Sequence, residues 1–122
     1  METTFPEQRK HLKGLIARLR RRIPETIGGF SQLHLESMKR GALSEREKEL
    51  IALGIGISSR CDGCIAFHTN EALEQGATAE QIAETIGVAI MMGGGPSLMY
   101  GAMALEALEQ FQAERVPARI AV

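Results

Sequence analysis

The chain has 122 residues, a formal net charge of −1, 4% aromatic residues and no tryptophan. That length suits a single domain, here 1–122, and the near-neutral charge excludes a general nucleic-acid binder, which carries a clear basic excess. An apolar set dominated by Ala, Leu, Ile and Met predicts an all-α bundle of about five to six helices.

The opening METTFPEQRKHLKGL lacks the apolar stretch of a signal segment, and no run is long enough to span a bilayer, so no membrane partner is expected and the expected location is cytoplasmic. Leu12, Leu15, Ile16, Leu19 and Ile23 recur at helical spacing and predict an amphipathic helix from Gln8 to Ile23. Arg18, Arg20, Arg21 and Arg22 suit the negative end of its dipole. Pro24 starts a second helix with Ile27, Phe30, Leu33, Leu35 and Met38 on a mostly apolar face, ended by Gly41.

Ser44 and Glu47 form a capping-box pattern that opens a third helix through KELIALGIGIS. Beyond Glu49 this helix is apolar on every side, so it is expected at the buried centre, with Gly54 and Gly56 allowing close helix packing. Ser59 and Asp62 match another capping box, which would place Cys61 in the first turn of a fourth helix. Cys61, Cys64 and His68 then fall on one helical stripe. Gly76 stops this helix, Thr78 with Gln81 opens a fifth, and Gly93, Gly94 and Gly95 break the chain before Pro96 starts a sixth through Phe111. The expected core spans 41–112, with Met91, Met92, Met99 and Met103 in it, and Pro117 onward is an expected tail. His11 and His34 read as surface or packing residues.

The cysteine pair can be read in several ways. A thiol of ordinary pKa near ~8.5 needs activation at neutral pH. A helix N-terminus favours Cys61 as the activated sulfur, whereas His68, one turn from Cys64, favours Cys64. Redox chemistry is one outcome, and the second sulfur would resolve a sulfenic acid into a disulfide. A structural zinc half-site is another, needing further ligands from His68, His34, His11 or a carboxylate. Several helices are apolar over more than one face, which predicts a homo-oligomer.

The run GALSEREKELIALGIGISSRCDGCIAFHTNEALEQG, with Glu49, Cys61, Cys64 and His68 at fixed spacing, resembles the carboxymuconolactone decarboxylase superfamily on its AhpD-like alkylhydroperoxidase branch. The following ATAEQIAETIGVAIMMGGGPSLMYGAMAL is similar to that family's last helices. The resemblance implies an all-α fold assembling into trimers or hexamers. It also implies peroxide reduction by a cysteine pair that an electron-donating thiol partner, such as a lipoyl system, recycles. It makes Cys64 the attacking thiol, Cys61 the resolving one, and Glu49 with His68 the proton relay, with no cofactor. The best-studied branch carries a second histidine where this chain has Gly63. Decarboxylase members lack the CxxC, so lactone decarboxylation is not favoured. The alternatives are a disulfide reductase serving a partner protein and a non-catalytic or metal-binding oligomeric module of the same fold.

Overall fold

The computed structural model describes residues 3–115, which form six helices and no strand. These are α1 (Phe5–Arg22), α2 (Pro24–Met38), α3 (Glu45–Ser58), α4 (Asp62–Glu74), α5 (Ala79–Gly93) and α6 (Gly95–Glu114). The tail expected from Pro117 lies outside the described residues.

Three of these helices open on reciprocal capping boxes: Thr4 with Glu7, Ser44 with Glu47 and Thr78 with Gln81. In each, the hydroxyl accepts one orphan backbone N–H and the third residue's side chain accepts another. Donation from the Thr4 and Ser44 backbones holds the Glu7 and Glu47 carboxyls below the ordinary glutamate value. The first box starts α1 at Phe5, ahead of the expected Gln8. α2 ends before the expected Gly41. Lys39 turns extended at φ −68° and ψ 151°, and the Lys48 ammonium donates to the carbonyls of Ser37 and Lys39 at 2.9 and 2.6 Å. A cation thus takes up carbonyls that a left-handed glycine cap would otherwise serve.

The core is built mainly by α3–α6 around Leu53, Ile57, Ile65, Ile82 and Phe111. Phe5 adds to it from α1, where its backbone N–H donates to Gln110 Oε1 at 2.8 Å. Between α5 and α6, Gly94 reverses the chain at φ +73°, a conformation open to glycine and strained for other residues. The expected packing role of Gly56 is met: a Cβ there would lie 2.8 Å from the Cys64 Cβ, so the missing side chain lets α4 seat against α3.

Two expectations are corrected. α3 buries Glu49, Leu53, Gly56 and Ile57, but Ile51 and Ile55 face outward, so the helix is half-covered and not the enclosed centre. Met91, Met92 and Met99 are exposed, and only Met103 leans on the core. The reason is geometric: α5 turns Ile82, Ile86 and Ala89 inward and α6 turns Ala104, Ala107, Leu108 and Phe111 inward, which leaves these methionines on the opposite faces. α2 buries no residue, and Phe30 is 67% exposed. Among the described residues no helix is long and apolar enough to cross a membrane.

Gly56→Ala should lower stability by about 1–3 kcal/mol through overpacking against Cys64, despite a helix-propensity gain of about 1 kcal/mol. Urea denaturation measures this. An unchanged or raised midpoint would mean that α3 and α4 separate without cost.

Candidate functional site

The site is set by how α3 hands over to α4. Ser59 closes α3. The Arg60 N–H then donates to the Ile57 carbonyl at 3.1 Å and the Cys61 N–H to the Gly56 carbonyl at 3.0 Å. This is the paired-bond ending of a helix whose next residue is left-handed, a place usually taken by glycine. The same bonding ends α4, where the left-handed residue is Gly76 at φ +88°. After α3 the residue is Arg60 at φ +57°. Ser59 is therefore not the cap of α4, contrary to the expected Ser59–Asp62 box, and Cys61 lies just outside the first turn. Cys61 is itself the N-cap: it is extended, and its Sγ accepts the Cys64 N–H at 3.1 Å.

Cys61 and Cys64 are joined as a disulfide with Cα atoms 5.2 Å apart. One turn beyond Cys64, His68 reaches across to α3, where its Nδ1 lies 2.7 Å from Glu49 Oε1. Glu49 is 7% exposed, and a buried carboxylate needs such a partner. An ionised carboxylate only accepts, which assigns the proton to Nδ1 and leaves Nε2 as the basic nitrogen. The structure thus joins Glu49 to His68 and Cys61 to Cys64. No hydrogen bond joins the imidazole to either sulfur in this oxidised form among the described residues.

The amino end of α4 is roofed by α1. A Cβ on Gly63 would meet Leu12 Cδ1 at 3.0 Å, so Leu12 fills the space a side chain at 63 would claim. Arg9 Nη2 reaches Glu71 Oε1 at 2.7 Å, and its guanidinium lies 5.3 Å from the Phe67 ring centroid. No sequence motif singles out Arg9 or Glu71, and Leu12 is marked only as part of the apolar stripe of α1. Glu71 had a local signal, one turn past His68, but nothing local marks a contact from α1. His11 and His34 are exposed, as expected of surface residues. Among the described residues no three His, Cys, Asp or Glu side chains gather as metal ligands.

The fold and the site together define an all-α protein in which a buried carboxylate pairs with an imidazole beside a CxxC disulfide. The family model for the carboxymuconolactone decarboxylase family matches residues 24–107, and the chain belongs to that family. A Cupriavidus necator protein of unassigned function is 40% identical over 82 residues, covering 67% of this chain and 73% of that protein. A carboxymuconolactone decarboxylase family protein from Legionella pneumophila, solved in its apo form, has a TM-score of 0.85 at 45% identity, over 88% of this chain and 96% of that one. A family member from Thermotoga maritima, for which a part in the antioxidative response has been suggested, has a TM-score of 0.71 at 26% identity, over 82% of this chain and 92% of that one.

Arg60→Gly should raise stability by about 1 kcal/mol, because glycine takes the left-handed conformation without a Cβ penalty. A lower urea midpoint would mean that contacts of the Arg60 side chain outweigh the strain.

Proposed function

We propose that the chain is a thiol-dependent peroxidase of the AhpD-like branch, reducing alkyl hydroperoxides or hydrogen peroxide through Cys64 and Cys61. The observation that carries this reading is the 2.7 Å bond from His68 Nδ1, one turn past Cys64 on α4, to Glu49 on α3, beside the Cys61–Cys64 pair. A carboxylate that orients an imidazole and stabilises its cation leaves Nε2 to take a thiol proton. In the reduced protein His68 deprotonates Cys64. The thiolate attacks one peroxide oxygen, the O–O bond breaks, and the alkoxide leaves as alcohol with a proton from the imidazolium. Cys64 is then a sulfenic acid. The Cys61 thiol attacks it, releases water and forms the Cys61–Cys64 disulfide. An external dithiol, of the lipoyl or protein type, reduces that disulfide and is itself oxidised.

One feature favours a second reading. The Cys61 sulfur accepts a helix N-terminal N–H, the environment that stabilises a thiolate and makes a good leaving group in disulfide exchange. A general disulfide reductase serving a partner protein uses the same dithiol with Cys61 foremost. The two readings separate in single-cysteine variants. In the peroxidase, reduced wild-type protein forms one disulfide per chain with a slight excess of peroxide. Cys64→Ser then abolishes turnover, Cys61→Ser halts at a sulfenic acid, and Glu49→Gln slows the first step by about 10²-fold. Mass spectrometry and peroxide consumption measure these outcomes. Oxidation no faster than that of free thiol would reject the peroxidase.

The proposed setting is a reducing, cytoplasmic compartment, where a lone CxxC is more often catalytic than structural. The proposed assembly is a homo-oligomer, a trimer or hexamer. Ile51, Ile55, Val88 and Met92 line an open apolar groove of about 550 Å³ between α3 and α5, and the α2 face bearing Phe30 and Leu33 is uncovered. Burying both against further copies would take these apolar side chains out of water. Sedimentation should show a single oligomer that Ile55→Glu dissociates. A monomer at micromolar concentration would contradict it.

A further inference from the structure

The imidazole proposed as the base has a second carboxylate beside it. Glu71 lies three residues beyond His68 on α4, so the two side chains share a helix face. It is half-buried and accepts from Asn70 Nδ2 at 3.0 Å and Arg9 Nη2 at 2.7 Å. Burial pushes its carboxyl up. The bonds from Asn70 and Arg9, the Arg9 charge and the nearby His68 outweigh that and hold it below the ordinary glutamate value. Glu71 is therefore ionised at neutral pH. Unbalanced, that charge would oppose forming a thiolate on the same helix.

Arg9 comes from a different helix and makes several contacts that fix it there. Its guanidinium is packed over Phe67, the neighbour of His68, and its Nε is enclosed by protein without a hydrogen-bond partner among the described residues. Two further contacts hold α1 in place, Phe5 on Gln110 and Leu12 against Gly63. A cation held in this partly covered place is favoured by a fixed counter-charge, and Glu71 supplies it.

Of the remaining charges around α4, Lys10 and Lys13 of α1 and Glu114 of α6 line a cleft with Arg9 and Asn70, and none of these three is bonded to Glu71 among the described residues. α4 packs on α3, α6 and α1. From α3 comes Glu49, bound to His68. On the α6 side Arg115 donates to Asn70 and Glu74. Arg60 and Asp62 flank Cys61 in the chain. Among the described residues Arg9 is the cation that bonds directly to Glu71.

We propose that Arg9 is a positioning residue of the thiol site: by pairing with Glu71 it offsets the negative charge beside His68 and so sets the pH range over which the dithiol is reactive. The inference rests on the thiol chemistry proposed above. It acts through Glu71 and His68, with no contact between Arg9 and a sulfur. Removing the cation leaves a net negative charge that disfavours the thiolate, and removing the carboxylate leaves a net positive charge that favours it.

The test is the rate of iodoacetamide alkylation of the reduced full-length protein as a function of pH. Arg9→Gln should move the apparent midpoint up by about 0.5–1 pH unit, and Glu71→Gln should move it down. The double variant Arg9→Gln/Glu71→Gln should return it to the wild-type position. Arg9→Lys keeps the charge but not the planar stacking, so it should leave the midpoint in place even if the protein unfolds more easily. A midpoint unmoved in Arg9→Gln, or moved the same way by both single variants, would overturn the inference. Wild-type thiols that alkylate like free cysteine would instead count against the thiol chemistry itself. The order of the variants' midpoints still decides the role of Arg9 in that case.

Discussion

A single hydrogen bond, His68 Nδ1 to Glu49 Oε1, ties the sulfur-bearing helix to its neighbour, and much of the sequence around it serves to make that bond possible. The carboxylate can be buried because the imidazole meets it, and the imidazole has a defined tautomer because the carboxylate accepts. Bringing the helices that close requires Gly56 to have no side chain where Cys64 presses against α3. It also requires the chain to reverse within the two residues Ser59 and Arg60, which puts Arg60 in a left-handed conformation immediately before Cys61. Strain of this kind persists where the surrounding structure over-determines it, and such positions cluster at functional sites.

Much of this was legible in the chain itself. Two of three capping boxes, the glycine breaks and the stripe of Cys61, Cys64 and His68 are local patterns, set by helix periodicity and by orphan N–H groups at helix starts. The Ser59 pattern misleads because a Ser-x-x-Asp spacing also occurs where one helix closes just before the next begins. The pairing of Arg60 and Cys61 with the carbonyls of Ile57 and Gly56 decides between the two. The methionines depart from expectation for a different reason. Hydrophobicity says that a side chain avoids water and not which surface hides it, and Met91, Met92 and Met99 lie on faces that this chain alone does not cover.

The contribution of α1 had the faintest trace in the sequence. Leu12 over Gly63, and Arg9 on Glu71 and Phe67, join residues far apart in the chain with no motif between them. Their effect is to close the amino end of α4 with an apolar side chain and to place a cation directly on the Glu71 carboxylate. Gly63, between the two cysteines, lies beneath Leu12, so Glu49 and His68 form the proposed relay without a second imidazole there.

The proposed activity reduces to whether Glu49, through His68, draws the proton from Cys64. The most direct measurement is the thiolate absorbance of the reduced Cys61→Ser protein across pH, with Glu49 intact and with Glu49→Gln. The relay predicts a substantial thiolate fraction at neutral pH that falls when the carboxylate is lost. Identical titrations, with the thiol ionising as a free cysteine does near pH ~8.5 in both, would contradict it.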